Sequence, residues 1–240
     1  MNVLLKKDIV INVCKKFEFN KSICQIDDML PIAKGQMNLE NKALGIILCG
    51  GLSRRMGSDK SQKKVNNVKL IDIVVGLAIN QVFKLALNAS EQKTEKFNLE
   101  LVPDCMSGNL GPLVGILSGL KWTKKQNFKW LMVFPIDSPF FPKNIVKVFF
   151  KNLKNEQVVM AKSSNRLHPV FSMWKVDLIE DLEFFLKKGE RKIDLFTKKI
   201  KSRLVNFPVI GYDPFFNVNN EEDLRKAENI YSSFFQKQGD

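Results

Sequence analysis

The residues best suited to chemistry lie in one short segment, Leu48 to Lys60, which follows a run of apolar residues. The segment combines adjacent glycines, a hydroxyl and three cations. Glycines let the backbone approach a ligand and present N–H donors to it, and guanidinium groups grip phosphate oxygens. The residues concerned are Gly50, Gly51, Ser53, Arg54, Arg55 and Lys60. The spacing is neither that of a Walker A loop nor Gly-x-Gly-x-x-Gly. The composition nevertheless predicts a site for a triphosphate, against the alternative of an ordinary glycine turn with solvated basic residues.

A second candidate is the carboxylate of Asp137, which follows the apolar run 130–134 after a proline and an isoleucine. A carboxylate is a hard oxygen ligand of the kind that Mg²⁺ prefers. The type of residue thus suits a magnesium ion, and the alternative is that Asp137 caps a helix near Pro142.

Apolar runs alternate with amphipathic stretches from residue 43 onward, which is typical of βαβ units. This pattern predicts an α/β fold: one three-layer αβα domain around a twisted, mainly parallel sheet. In such sheets ligands bind beyond the carboxyl ends of the strands, where both candidates lie. The predicted strands are 44–48, 82–87, 99–102, 130–134, 158–161 and 169–174. The predicted helices are 70–80, 113–125, 145–153, 178–187, 192–200 and 221–235.

Residues 1–42 differ from the rest, with short β-like runs at 9–13 and 17–19 and then a polar segment. We expect an N-terminal extension of unknown role at 1–42, followed by one domain at 43–240. Two alternatives stay open: the extension is a remnant of another module, or it is upstream sequence preceding a start at Met37.

Charge is the unusual feature of the composition, because 38 Lys and Arg against 25 Asp and Glu leave a net charge of +13. Such an excess suits an anionic partner, or it reflects a lysine-rich surface. The four cysteines are scattered, the single histidine is His168, and neither a long apolar span nor a signal peptide is visible. These features predict a cytoplasmic protein that binds neither membrane nor zinc. Nucleic acid is not expected either, because no recognised binding motif accompanies the charge.

The segment 48–60 resembles the signature of the molybdenum cofactor guanylyltransferase family, Leu-Ala-Gly-Gly-x-Ser-x-Arg-Met-Gly-x-Asp-Lys, with Cys49 in place of Ala. Further blocks match in order across about residues 43–230. They are Asn88, Asp104 in Val-Pro-Asp, Gly111 to Ile116, Phe134 to Pro139, His168-Pro169, Gly189 to Arg191, and Phe216 to Asn219. The resemblance implies a Rossmann-like nucleotidyltransferase fold. It also implies transfer of GMP from GTP to molybdenum-bound molybdopterin, with release of pyrophosphate.

The resemblance implies a role for each matching residue. Lys60 and Arg55 would neutralise the β- and γ-phosphates during catalysis, and Asp137 would bind Mg²⁺. The implied nucleotide-binding residues are Leu48, Cys49, Gly50, Gly51, Ser53, Arg54, Lys60, Asn88, Asp104 and Asp137. The implied acceptor-binding residues are Gly111, Gly115, His168, Arg191, Asn217 and Asn219.

Simpler roles stay open for several of these residues. Asn88 could form a local Asx turn, His168 could be structural at a strand entry, and Arg191 could be a surface residue. Asn217 and Asn219 could make a backbone turn before the last helix.

Three other functions remain in view at this stage. One is a cytidylyltransferase of the same fold that uses CTP; the others are a non-catalytic cofactor carrier and a nucleic-acid-binding protein. The family also implies molybdenum-enzyme apoproteins or their chaperones as further partners.

Overall fold

The computed structural model describes residues 42–49, 62–89, 98–108 and 111–236. Within them, seven strands form one sheet and two short strands form a separate hairpin. The strands are β1 (Ala43–Leu48), β2 (Lys64–Val65), β3 (Val68–Lys69), β4 (Leu85–Asn88), β5 (Glu100–Leu101), β6 (Trp130–Pro135), β7 (Val158–Ser163), β8 (Arg166–Lys175) and β9 (Ser202–Phe207). The order across the large sheet is β5-β4-β1-β6-β8-β7-β9.

The large sheet is mainly parallel, as predicted, and β8 is its antiparallel member. Strand β8 pairs antiparallel with both β6 and β7, whereas the β5–β4, β4–β1, β1–β6 and β7–β9 pairs are parallel. The cause is local: Ser163 pairs with Arg166, so two residues join β7 to β8, and so short a connection only joins antiparallel strands. The first residues of β8 consequently lie at the same edge as the carboxyl ends of its neighbours.

Helices cover both faces of the sheet, which confirms the predicted three-layer arrangement. They are α1 (Leu70–Ala78), α2 (Pro112–Lys125), α3 (Ile145–Asn152), α4 (Ile179–Lys187), α5 (Ile193–Thr197) and α6 (Glu221–Tyr231). In β1, Ile47 packs into the apolar cluster that contains α1 and α3, while Leu44 and Ile46 pack into the cluster that contains α2, α4 and α5. Successive side chains of a strand point to opposite faces, so one apolar strand serves two layers.

Two elements were absent from the prediction. Strand β9 lies at the edge of the sheet, and its exposed residues Ser202 and Asn206 interrupt the apolar pattern. The β2–β3 hairpin is only two residues long on each side and turns at Asn66 and Asn67, both with positive φ. Neither carries enough consecutive apolar residues to be recognised as a strand.

Some predicted boundaries shift. The strand predicted at 82–87 begins at Leu85, the helix predicted at 192–200 shortens to α5, and the last helix continues after Tyr231 as a π-helical turn, Ser232–Gln236. The β-like runs at 9–13 and 17–19 lie outside the described residues. In the part of the chain that the structure describes, we find no helix long and apolar enough to cross a membrane.

Candidate active site at the carboxyl edge of the sheet

Three neighbouring strands bring the nucleotide candidates to one edge. Leu48 at the end of β1 pairs with Asn88 on one side and with Pro135 on the other. Cys49 follows β1 directly, and Asp137 lies two residues beyond β6. The carboxyl ends of β4, β1 and β6 therefore form one continuous edge, where α/β sheets bind their ligands.

The phosphate-loop residues of the sequence prediction fall in 50–61, which lies outside the described residues. These residues are Gly50, Gly51, Ser53, Arg54, Arg55 and Lys60. The last described residue before this gap is Cys49, whose backbone N–H donates to the carbonyl oxygen of Asn88 at 3.0 Å. The beginning of the predicted loop is therefore fixed to the end of β4.

Asn88 organises the loop that follows β5. Its side chain is 5% exposed, and its Nδ2 donates to the carbonyl oxygen of Val102 at 3.0 Å and to Oδ1 of Asp104 at 2.8 Å. Asp104 itself is exposed. The structure thus brings these two predicted nucleotide residues into contact and leaves the Asp104 carboxylate at the surface.

Two glycines of the sequence prediction lie in or just before helix α2, and one of them contacts the Asn88 cluster. A Cβ atom added to Gly115 would lie 2.4 Å from Asn88 Oδ1 and 2.9 Å from Leu48 Cδ2, so a side chain at this position displaces Asn88. Gly111, with φ of +70°, precedes α2, and its added Cβ would lie 3.9 Å from the carbonyl oxygen of Arg191. Of the two glycines predicted to serve the acceptor, Gly115 faces the Asn88 cluster and Gly111 lies beside Arg191, which is exposed.

Asp137 is joined to the segment that carries Asn217. Its backbone oxygen accepts from the N–H of Val218 at 2.7 Å. The buried Ser138 hydroxyl donates to Asn217 Oδ1 and lies 3.5 Å from Asp137 Oδ1. Helix α3 has Asn144 rather than Asp137 at its N-cap position.

The residues around Asp137 suit an open Mg²⁺ site, in which water and substrate supply most ligands, better than a site in which protein side chains supply every ligand. Among the described residues, no group of three or more His, Cys, Asp or Glu side chains is placed to hold a metal. Mg²⁺ commonly takes one or two carboxylates and fills its remaining positions with water and substrate phosphates. A half-buried carboxylate at a strand end, with the Asn217 amide oxygen linked to it through Ser138, matches that requirement.

His168, one of the residues predicted to bind the acceptor, is buried. It is 6% exposed, and its Nε2 lies 2.6 Å from Ser163 Oγ. The centroid of its ring lies 4.7 Å from the centroid of the Phe215 ring. Burial lowers the pKa of His168 below its usual 6.5; the Asp213 carboxylate opposes this shift and Arg166 adds to it. The imidazole is therefore neutral at pH 7.

Asn219 contributes its backbone to the start of α6. Its N–H donates to Asp223 Oδ2 at 3.0 Å, while the side chain of Asn220 accepts from the N–H of Asp223 at 2.8 Å. This reciprocal pattern is close to a capping box. The structure therefore places Asn217 against the Asp137 loop and Asn219 at a helix start.

Sequence reasoning missed three polar residues here: Ser138, Ser163 and Asp213. Ser138 could have been suspected, because it directly follows the predicted metal ligand. Ser163 and Asp213 are 50 residues apart and meet at 2.9 Å only because of how β7, β8 and β9 assemble.

Known proteins resemble this chain in sequence over about three quarters of its length. Residues 45–201 match the model of the MobA-like NTP transferase domain. Proteins named molybdenum cofactor guanylyltransferase in Rhizobium meliloti (strain 1021) and Rhizobium rhizogenes (strain K84 / ATCC BAA-868) are 35% and 36% identical over 194 and 192 residues. Each alignment covers 76% of this chain and 89% of the relative. The chain belongs to the molybdenum cofactor guanylyltransferase family.

Solved structures of other proteins have a similar fold. Molybdopterin-guanine dinucleotide biosynthesis protein A from Archaeoglobus fulgidus aligns with a TM-score of 0.65 at 23% identity, covering 80% of this chain and 100% of that chain. The structure titled 4-diphosphocytidyl-2C-methyl-D-erythritolsynthase from Anaerococcus prevotii aligns at 0.62 and 12% identity, covering 80% and 99%. At these identities the likeness shows a shared nucleotidyltransferase fold.

Proposed function

We propose that this nucleotidyltransferase transfers GMP from GTP to molybdenum-bound molybdopterin, forming the guanine dinucleotide cofactor and releasing pyrophosphate. The observation that carries the proposal is the 35% identity to a guanylyltransferase over three quarters of the chain. The convergence of Asn88, Asp104 and Asp137 on one sheet edge supports it, because that edge is where such a fold binds nucleotides.

The nucleotide side of the site is proposed to lie at the ends of β1, β4 and β5. Leu48 and Cys49 begin the phosphate loop, and Asn88 holds Asp104 in place to contact the nucleotide. The remaining contacts are assigned to the loop outside the described residues: Gly50, Gly51, Ser53, Arg54, Arg55 and Lys60. There, Arg55 and Lys60 would stabilise the negative charge that builds on the departing pyrophosphate.

The chemistry is a single displacement. A phosphate oxygen of the acceptor forms a bond to the α-phosphorus of GTP, while the bond from that phosphorus to the bridging β-phosphate oxygen breaks. The electron pair of the broken bond leaves with pyrophosphate. An ionised phosphate nucleophile has no proton to lose, so the neutral, buried His168 is not required as a base. Mg²⁺ held by Asp137 would neutralise phosphate charge in the bound complex.

The acceptor side is proposed to lie at the start of α2, the loop between α4 and α5, and the segment after β9. Gly111 and Arg191 lie next to each other, and Asn217 lies beside the Asp137 loop. The set carried over from the family resemblance is Gly111, Gly115, His168, Arg191, Asn217 and Asn219, of which the buried His168 would act on the acceptor side without touching the acceptor. A cationic guanidinium near an acceptor phosphate would bring two anionic reactants together.

The setting is proposed to be cytoplasmic, with small anionic molecules rather than nucleic acid or membrane as reactants. Most of the net charge of +13 would then attract anionic reactants to the protein without contacting them directly. Apoproteins of molybdenum enzymes or their chaperones would receive the product. Residues 43–240 would form the catalytic domain, so a chain beginning at Met37 would keep its activity.

CTP is the competing substrate, because a cytidylyl-transfer structure shares the fold. The deciding experiment incubates purified protein with molybdenum-molybdopterin and either GTP or CTP, and measures pyrophosphate release and the dinucleotide by mass spectrometry. Turnover with GTP supports the proposal. Turnover with CTP alone overturns it, and cofactor binding without turnover with either nucleotide would indicate a carrier.

A further inference from the structure

Residues 213–223 run from the connection between β9 and α6 into the first turn of α6, at the carboxyl edge of the sheet, and we call this segment the strap. It is fastened to three separate elements of the domain. Asp213 binds the β7–β8 hairpin, Val218 binds the loop after β6, and Glu221 forms an ion pair with Lys63 beside the β2–β3 hairpin. A connection held at three points has few positions available to it, so the strap sets where its side chains lie.

The first fastening has a defined direction of hydrogen bonding. Ser163 Oγ lies 2.9 Å from Asp213 Oδ1 and 2.6 Å from His168 Nε2. A hydroxyl has one hydrogen, and a carboxylate accepts only. Ser163 therefore donates to Asp213 and accepts from an N–H on His168 Nε2. The same Asp213 oxygen accepts from the backbone N–H of Phe215 at 2.9 Å.

Apolar packing reinforces this fastening. The Phe215 ring is fully buried and contacts the rings of His168, Phe171 and Phe207 at 4.7, 4.8 and 5.2 Å between centroids. Two residues further along, Asn217 meets Ser138, and the N–H of Val218 meets the backbone oxygen of Asp137. The contacts at His168 and Ser163 thus hold the strap a few residues before the point where Asn217 lies beside Asp137.

We propose that His168 and Ser163 are positioning residues for the acceptor side of the site, acting through Asp213 and the strap rather than by touching a reactant. Their hydrogen bonds and the burial of the imidazole support this assignment. It rests on the proposed function only for the chemical identity of the acceptor. The nucleotide residues Asn88 and Asp104 make their described contacts elsewhere, so their part of GTP binding should be independent of the network.

The first test measures the strap itself by amide hydrogen exchange of a peptide covering 213–219, in the full chain without ligand. Ser163→Ala and His168→Leu should each speed exchange there by about tenfold, the factor that loss of one buried hydrogen bond supports. His168→Gln keeps an N–H donor and should exchange as the wild type does. The matched control is Ser172→Ala, which removes a buried hydroxyl on the neighbouring strand β8, one that accepts from Trp174 Nε1 at 2.7 Å. Equal exchange in Ser163→Ala and Ser172→Ala would overturn the proposal.

The second test is kinetic and separates positioning from direct contact. Ser163→Ala and His168→Leu should raise KM for molybdenum-molybdopterin by about tenfold and leave the GTP dissociation constant unchanged, with His168→Gln near wild type. The proposal fails if His168→Gln is as impaired as His168→Leu while Ser163→Ala is normal, because the ring would then contact the acceptor. If the wild type transfers no GMP, the proposed function fails, and the exchange experiment still decides the role of the strap.

Discussion

Replacing Gly115 by alanine should disconnect the Asn88 cluster while leaving helix α2 in place. The added Cβ would lie 2.4 Å from Asn88 Oδ1 and 2.9 Å from Leu48 Cδ2, closer than van der Waals contact allows. Asn88 is buried, so it must rotate or shift to make room. Either movement lengthens its bonds to Val102 and Asp104, now 3.0 and 2.8 Å.

The expected loss of stability combines three effects. Alanine in place of glycine favours a helix by about 1 kcal/mol. Overpacking a well-packed site costs about 1–3 kcal/mol, and two weakened hydrogen bonds cost about 1 kcal/mol each. The net expectation is a fall of about 2–4 kcal/mol in the free energy of unfolding, with GTP binding weakened about tenfold through Asp104.

A matched control lies one turn along the same helix. The Cβ of Gly119→Ala would meet Leu131 Cδ2 at 2.8 Å and Ile46 Cδ1 at 3.0 Å, which are apolar atoms remote from Asn88. Its overpacking cost should be similar, but the two hydrogen bonds survive, so stability falls less and GTP affinity is kept. Urea unfolding followed by circular dichroism and calorimetric titration with GTP measure both quantities. Equal stability and equal GTP affinity in the two variants would refute the reasoning.

Three further predictions concern other parts of the molecule. Asp137→Asn should lower GMP transfer by about 10²-fold or more while the fold persists, because the backbone oxygen that binds the strap is kept; pyrophosphate release and circular dichroism measure these. The Arg203 guanidinium lowers the pKa of Glu156 from 4.5 to about 2, so stability should be full above about pH 4.5 and fall as pH drops toward 2; acid titrations compared with Arg203→Met measure this. Gly211→Ala should cost more in urea unfolding than the about 1–2 kcal/mol of a positive φ alone, because φ is +76° and the new Cβ also meets Phe234 Cζ at 2.3 Å.

Each of these has a result that would contradict it. Full activity of Asp137→Asn would remove that carboxylate as the metal ligand. An unchanged acid profile in Arg203→Met would mean that the ion pair does not set the pKa of Glu156. For Gly211→Ala the control is Gly189→Ala, with φ of +83° and open space around the new Cβ. Equal losses in both glycine variants would show that the Phe234 contact costs nothing.

Short-range patterns were sufficient for the main elements of the fold. Strand β1 is six buried residues without a polar side chain, its neighbour β6 is also six buried apolar residues, and its neighbour β4 has three before the buried Asn88. Such runs are typical of parallel strands that are buried on both faces. Strand β9 shows the opposite case, because only Val205 and Phe207 are buried there and its pairing with β7 supplies the rest. An edge strand of this kind depends on pairing with a distant strand, so a local hydrophobic pattern does not predict it.

The sequence alone determined the α/β class, the position of Asp137 after a buried strand, and the chemistry of a loop rich in glycine and arginine. These depend on residue type and on spacings of a few residues. Tertiary structure decided which of them meet: Asn88 with Asp104, Gly115 with Asn88, and Asn217 with the Asp137 loop. It also decided that His168 is buried behind the strap, since that depends on the β7–β8 hairpin and a segment 50 residues away. Such contacts depend on the order of the strands in the sheet and on which distant segments of the chain pack together. Local sequence patterns predict neither of these.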